Sequence, residues 1–461
     1  MSSRKRSRRS SGRTRQASRL EPVHPDAAGI DVGSRSHFVA VPPDRDEQPV
    51  REFEAFTGDL YRLADWLQEC GVKTVALEST GVYWIPLFQV LEQRGFQVLL
   101  VDARRLKTVP GRKTDVKDCE WLQQLHTYGL LAGAFRPDDQ SCVLRSYLRQ
   151  RAMLIEHAAH HIQHMHKALE QMNVKLNNVL SDITGQTGLA IIDAILAGQR
   201  DPVALAKLRD PRCKHSEETI AKSLHGHWRD DHLFELQQAV ELYRTYCGKL
   251  AECDARIESY LSSFEDKSDG RCLPPKKPKR NPHAPRFDAR EHLFRMTGVD
   301  LTRIDGLEAN TVLKVISEIG TDITRWPTEK HFSSWLCLCP GNHKTGGRNK
   351  SGKTRRSANR AAAALRLAAQ SLERSPSALG AFYRRMKARL GAPQAVTATA
   401  HKLARLIYHM LRHGTEYVDI GQAAYERQYQ ARILKNLNRR AAQLGHILVP
   451  VNNLLPQPRT S

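Results

Sequence analysis

A-G-I-D-V-G-S at residues 28–34 is a short apolar run closed by Gly33, and its reading decides the fold. A run of this length bounded by turn residues reads as a buried strand. H-F-V-A-V-P at 37–42 follows at hairpin distance as its partner, and R-E-F-E-A-F at 51–56 is a weaker third strand. Working outward, L-Y-R-L-A-D-W-L-Q-E-C at 60–70 has the spacing of an amphipathic helix stopped by Gly71. T-V-A-L-E at 74–78 is another buried strand, W-I-P-L-F-Q-V-L-E-Q-R at 84–94 a helix stopped by Gly95, and Q-V-L-L-V at 97–101 a further strand. Antiparallel strands followed by β-α-β-α-β predict a mixed sheet covered by helices, an α/β domain.

Two carboxylates stand on these strands, Asp31 inside the first run and Glu78 at the end of T-V-A-L-E. Two more, Asp115 and Asp118 in K-T-D-V-K-D, fall one helical turn apart and share a helix face. A ribonuclease-H or RuvC-like fold gathers acids in this way. Phosphodiester chemistry on divalent ions needs several carboxylates around metals ~4 Å apart, one activating the attacking oxygen and one stabilising the leaving oxygen. Mg²⁺ or Mn²⁺ prefers such oxygen ligands. Gly29 and Gly33 leave room for a close ligand, and Lys113 and Lys117 are placed to meet phosphate. G-I-D-V-G also opens the phosphate loop of actin-like ATPases. That fold needs a second phosphate loop, and D-I-T-G-Q-T-G at 182–188 lies in helical territory without a strand before it.

The chain of 461 residues is long enough for two or three domains. Its formal charge of +22, from 71 basic and 49 acidic residues, points to a polyanion partner. No apolar stretch approaches the ~20 residues of a membrane span, and no signal-peptide core is visible. Nine cysteines without paired spacing fit reduced thiols in a cytoplasm. The organisation reads as a basic arm over 1–22, with eight Lys/Arg and no acid in the first 20 residues, then the sheet domain over 23–135. A helical coiled-coil region covers 136–268, where Leu148, Ile155, Ile162, Leu169 and Leu176 recur every seven residues. That seam is either internal or a dimerisation arm. A Pro-rich basic linker spans 269–292, a mostly α-helical domain 293–420, and a polar tail 421–461.

Several ordered motifs carry a resemblance over most of the chain. G-I-D-V-G-S, A-L-E-S-T-G-V-Y-W, V-D-A-R-R-L-K and G-R-K-T-D-V-K-D-C-E-W-L resemble the RuvC-like DEDD domain of the bacterial insertion-sequence transposases of family one-ten. So do I-D-G-L-E-A-N-T-V-L-K-V-I-S-E-I-G, W-L-C-L-C-P-G-N-H-K-T-G-G-R and A-T-A-H-K-L-A-R-L-I-Y-H-M-L. The family includes site-specific DNA invertases. The resemblance implies cut-and-rejoin recombination of DNA, in which exchanging two strands on two DNAs calls for a homodimer or tetramer, and a guide (bridge) RNA encoded by the element. It also implies a serine nucleophile five residues after a proline. Here that position is Thr345, after Pro340, which departs from the pattern; Ser351 is the alternative nucleophile. A threonine hydroxyl does the same chemistry with more hindrance.

Around Thr345, residues 343–360 hold seven Lys/Arg and no acid. Lys344, Arg348, Lys350, Lys353, Arg355, Arg356 and Arg360 therefore read as nucleic-acid contacts on a Gly-rich loop. Gly306 reads either as a helix-hairpin-helix turn whose amides approach phosphate or as plain helix packing. His157, His160, His161, His164 and His166 crowd one helix, with zinc-like spacing but no third ligand, and read as a polar face. Cys337 and Cys339 read as core residues. The alternatives to a transposase are a junction nuclease that hydrolyses without rejoining and a nucleic-acid-binding remnant.

Overall fold

The computed structural model describes residues 21–102, 115–276, 281, 283–341, 343–346 and 348–450. Lys113, Gly347 and the first 20 residues of the basic arm lie outside them. The chain divides into two compact units, one ending at Arg136 and the other beginning at Pro137.

In the first unit, β1 (Ala27–Val32), β2 (Ser36–Ala40), β3 (Val50–Glu54), β4 (Thr74–Glu78) and β5 (Gln97–Val101) form one sheet in the order β3-β2-β1-β4-β5. β2 runs antiparallel to β1 and β3, whereas β1, β4 and β5 are parallel. Helices α1 (Thr57–Glu69) and α2 (Trp84–Gln93) make the crossover connections that parallel strands require. Ile30, Val32, Val39, Val75 and Leu77 meet Leu63, Leu67, Leu87 and Leu91 in the larger core.

Strand alternation sends Gly29, Asp31, Ala76 and Glu78 to the opposite face. Helix α3 (Asp115–Thr127) covers it, with Leu122 packed among Ala76 and Val101. The small residues there matter. A Cβ built on Gly29 would stand 2.3 Å from the Gln123 amide nitrogen and 2.6 Å from the Cys119 carbonyl oxygen, so the α3 backbone lies directly on β1. Buried Gln123 donates from Nε2 to the Ala27 carbonyl at 3.3 Å, and His126 Nε2 meets Thr74 Oγ1 at 2.9 Å. Gly29 is thus filled by a helix backbone rather than kept open for a ligand.

The second unit is largely helical. Helix α4 (Asp139–Gln171), capped by Asp138, pairs with α6 (Asp230–Leu261), and their contacts pair 147 with 253 and 161 with 246, an antiparallel arrangement within one chain. Its seam has two rows. Leu148 and Leu169 are buried as the heptad predicts, and Leu144, Arg151, Ala158 and Met165 form the companion row. Leu176 falls beyond the end of α4. At the far end of the pair, α5 (Gln186–Leu196) contributes Ile191, Ile192 and Ile195 to a core with Met165, Leu169, Leu236 and Val240.

Beyond the pair come α7 (Ala289–Thr297), which begins inside the span read as linker, α8 (Ala309–Ile319) and α9 (Glu329–Trp335). A hairpin of β6 (His343–Thr345) and β7 (Arg348–Ser351) follows, then α10 (Arg360–Ser371), α11 (Ala378–Leu390) and α12 (Ala392–His413). The span read as a polar tail opens with a 23-residue helix, α13 (Gly421–Gln443). Gly306, at φ +84°, faces inward: a Cβ there would meet the Ala368 carbonyl at 2.9 Å and Leu372 at 3.0 Å. Its conformation serves the fit of this turn against α10, and the packing reading of Gly306 holds. No described helix is long and apolar enough to cross a membrane.

Two outcomes follow from how α3 is seated. Gly29→Ala places a methyl against helix backbone and should cost about 1–3 kcal/mol or more by denaturant unfolding. Gly58→Ala, whose new Cβ meets nothing within 4 Å, should be neutral. Equal stability of the two variants would mean that α3 yields freely. The second outcome concerns pH. Burial, with His24 alongside, pushes the His126 imidazole down to about 4. The unfolded histidine titrates near ~6.5, so stability is full above that pH and falls as pH drops towards about 4. Thermal melts across this window should give a flatter profile for His126→Gln than for wild type; identical slopes would assign the acid sensitivity to other groups.

Candidate functional site

The acids converge because of that seating. Asp31 lies two residues after Gly29 on the same face of β1, so it projects beside the end of α3 that starts at Asp115. Asp115 and Asp118 occupy the first turn of α3, where the helix dipole favours negative charge. One carboxylate oxygen from each of Asp31, Asp115 and Asp118 lies within 4.8 Å of the others. Asp31 and Asp118 are half-buried and Asp115 is exposed. Among the described residues, no other group of three His, Cys, Asp or Glu side chains brings ligand atoms together in this way.

Glu78 stands one strand over. The register pairs Ile30 with Leu77, so Asp31 and Glu78 are the next positions on neighbouring parallel strands, on the same face. Its carboxylate is not one of the converging oxygens; it accepts a hydrogen bond from Thr80 Oγ1 at 3.1 Å. Lys117 is exposed on the same helical turn. Cys119, directly after Asp118, is buried, donates to the Val116 carbonyl at 3.0 Å, and has its thiol pushed up to about 12 by burial. The cluster therefore offers oxygen donors only. Three carboxylate oxygens gathered in this way suit a divalent cation that prefers oxygen ligands.

Thr345 belongs to the second unit and is exposed at the tip of the β6–β7 hairpin. It pairs with Arg348 across a two-residue loop, and Gly346 takes φ +56° as the tight hairpin turn requires. Lys344 pairs with Asn349 and lies one residue before Thr345, whereas Ser351 pairs with His343 at the base. A bridge from Pro340 to Thr354, with Gly341 N bonded to the Lys353 carbonyl at 3.0 Å, closes the neck. Just upstream, Cys337 takes φ +54°, a sharp turn between α9 and the hairpin. Arg355, Arg356 and Arg360 follow, all exposed, with Asn359 capping α10.

Other readings resolve simply. Cys337 and Cys339 are half-buried, and burial, with Cys337 beside it, pushes the Cys339 thiol up. His157 and His161 stack on Tyr246 of α6 with ring centroids 5.5 and 5.4 Å apart, so these histidines help close the α4–α6 seam. The sequence reading missed Gln123, His126 and the role of Gly29, which set the position of α3. Their only signal in sequence is a glycine two residues before an acid in a strand.

Residues 28–174 match the model of the DEDD transposase domain of IS110 elements, and residues 298–384 match that of the transposase IS116/IS110/IS902 family. No curated protein matches the chain. The first match contains the acidic cluster and the second contains the Thr345 hairpin. With both matches in sequence order over about half its length, the chain belongs to the IS110 family of insertion-sequence transposases.

Proposed function

We propose that the protein cuts and rejoins insertion-element and target DNA, using a RuvC-like metal site and the Thr345 hydroxyl, as a homodimer or tetramer directed by an element-encoded guide RNA. The observation that carries the reading is the convergence of Asp31, Asp115 and Asp118 inside the segment matched to a DEDD transposase domain. The guide RNA comes from the family resemblance. The antiparallel α4–α6 pair serves as a coiled-coil arm.

Bound Mg²⁺ would supply charge neutralisation at the phosphate and activation of oxygen. Asp31, Asp115 and Asp118 would hold it, with Glu78, its neighbour on β4, completing the four-acid set. Lys117 would draw phosphate to the site. At the hairpin, attack of Thr345 Oγ1 on phosphorus forms a phosphothreonyl bond, and the bond to one sugar oxygen breaks, that oxygen leaving with a proton. Attack by a sugar hydroxyl on the phosphothreonyl link restores a phosphodiester and returns the proton to Thr345. The linkage conserves the phosphodiester's energy, which separates rejoining from hydrolysis. Lys344 and Arg348, neighbours of Thr345 in the backbone register of the hairpin, would meet the charge that develops on the phosphoryl oxygens. Lys350, Lys353, Arg355, Arg356 and Arg360 would add further contacts to nucleic acid.

Asp31→Asn and Asp118→Asn should each abolish recombination and also remove the rise in melting temperature that Mg²⁺ gives the wild type. At an ion concentration of about a hundred times Kd that stabilisation is about 2.7 kcal/mol. Without metal both variants should be at least as stable as wild type, because a like charge has left the cluster. Retained recombination or an unchanged magnesium shift in both would rule out the site. For the nucleophile, Thr345→Ser should keep or raise activity, and Thr345→Val should abolish it. Peptide mapping of a trapped protein–DNA adduct should find the label on Thr345; a label on Ser351, or strand exchange by Thr345→Val, would transfer the role.

A further inference from the structure

Helices α11, α12 and α13 meet in a cluster of cations and aromatic rings at and just past the end of the second family match, which closes at residue 384. The Arg385 guanidinium lies 3.9 Å from the centre of the Tyr429 ring, 5.2 Å from Tyr425 and 5.4 Å from Phe382. Lys402 Nζ stands 4.6 Å from Phe382 and 5.4 Å from Tyr425. Arg385 Nε is sealed from solvent and meets no acceptor in hydrogen-bond geometry. Burial and the charges of Arg385, Arg405 and Arg432 hold the Lys402 ammonium below the usual lysine range, against Asp419.

The acids nearby are already engaged. Glu329 pairs with Arg405 at 2.6 Å, and Asp419 accepts from the Ala378 amide at 3.0 Å. Among the described residues, no ion pair reaches Arg385, Lys402 or Arg432. Gln422 also fastens α13, its side-chain oxygen accepting from Arg384 at 2.7 Å and its backbone N–H donating to the Pro376 carbonyl at 3.2 Å. Cations crowded over rings repel one another, and here Asp419 is the one acid that acts on Lys402 against three arginines. An incoming anion would relieve that repulsion.

From the cluster, α13 carries a continuous face outward. Tyr425, Tyr429, Arg432, Asn436 and Arg439 follow at three- and four-residue steps and so lie on one side of the helix, with Lys435 and Arg440 flanking them. The strip runs on the order of 20 Å along the axis. Residues 431–440 are exposed, and Glu426 is the single acid of the helix.

We propose that the α11–α12–α13 junction is a phosphate-binding notch, centred on Arg385 and Lys402, that leads a nucleic-acid backbone onto the basic face of α13. A repeating cationic strip that starts at ring-stacked cations matches a polymer with a repeating phosphate and exposed bases. The proposal rests on nucleic acid being the substrate and is independent of the chemistry assigned to the carboxylates and Thr345.

The test is fluorescence anisotropy with the full-length protein and labelled single-stranded RNA, single-stranded DNA or duplex DNA over a salt series. Two variants are compared with wild type: Lys402→Met, which keeps the apolar stem, and the surface triple Arg432→Gln, Arg439→Gln, Arg440→Gln. Each lost phosphate contact should flatten the slope of log affinity against log salt by about 0.7 to 0.9, so the triple loses about two to three. Lys402→Arg should restore the wild-type slope, and the probe showing the largest change identifies whether RNA or DNA follows α13. An unchanged slope for Lys402→Met on all three probes overturns the notch, including the case where the variant only lowers the melting temperature, and an unchanged slope for the triple overturns the path along α13. Absence of binding by the wild type would overturn the nucleic-acid reading itself, and the notch with it.

Discussion

The bare Cα of Gly29 under the backbone of α3 is the contact on which the candidate site depends. Asp31 is fixed by the sheet, but Asp115 and Asp118 reach it only because the helix that carries them lies flat on β1 with no side chain between. Leu122 supplies the apolar attraction, while the bonds of Gln123 to Ala27 and His126 to Thr74 select one axial position for the helix. Those anchors sit one to three turns from the acids. Bringing three carboxylates together costs electrostatic energy, and the packing downstream offsets it.

The second unit solves a different problem, how to hold a long helix pair in one register. A purely aliphatic seam can slip by a heptad at little cost; a charged pair inside it cannot. Arg151 and Asp254 are both buried, with Nε to Oδ1 at 2.5 Å, and Arg286 N also donates to Asp254 at 3.1 Å. The pair thereby fixes α4 on α6 and ties the segment before α7 to both. At the base, Arg145 donates to the Glu318 carbonyl at 2.8 Å and Arg149 pairs with its carboxylate at 2.9 Å, joining α4 to α8.

Much of this was legible in the sequence wherever apolar pattern and punctuation agree. T-V-A-L-E and Q-V-L-L-V match β4 and β5 residue for residue, since each is a β-branched and leucine run bounded by glycine or polar residues. The i, i+3 spacing put Asp115 and Asp118 on one helix face, as observed. The β6–β7 hairpin was hidden because H-K-T-G-G-R-N-K-S contains no apolar residue and so lacks alternation; its one signal is the Gly-Gly step. The companion row of the α4 seam was hidden by Arg151, a charge in a core position. The contact under α3 joins residues about ninety apart in sequence, and local pattern carries no record of it.

The α4–α6 pair also bears on how such a chain tolerates change. Gln140 and Ser263 lie together, with Tyr260 Oη donating to the Gln140 carbonyl at 3.1 Å, so the polypeptide leaves and returns at the same place. The arm is a spur. At its far end α5 lies in sequence between the two segments that match transposase models and packs on Met165 and Leu169 from the end of the first. Matched insertions or deletions on the two strands of the spur would change its reach while leaving the geometry at its root as it was. Length can therefore drift in this family member without disturbing the helical domain that bears the Thr345 hairpin.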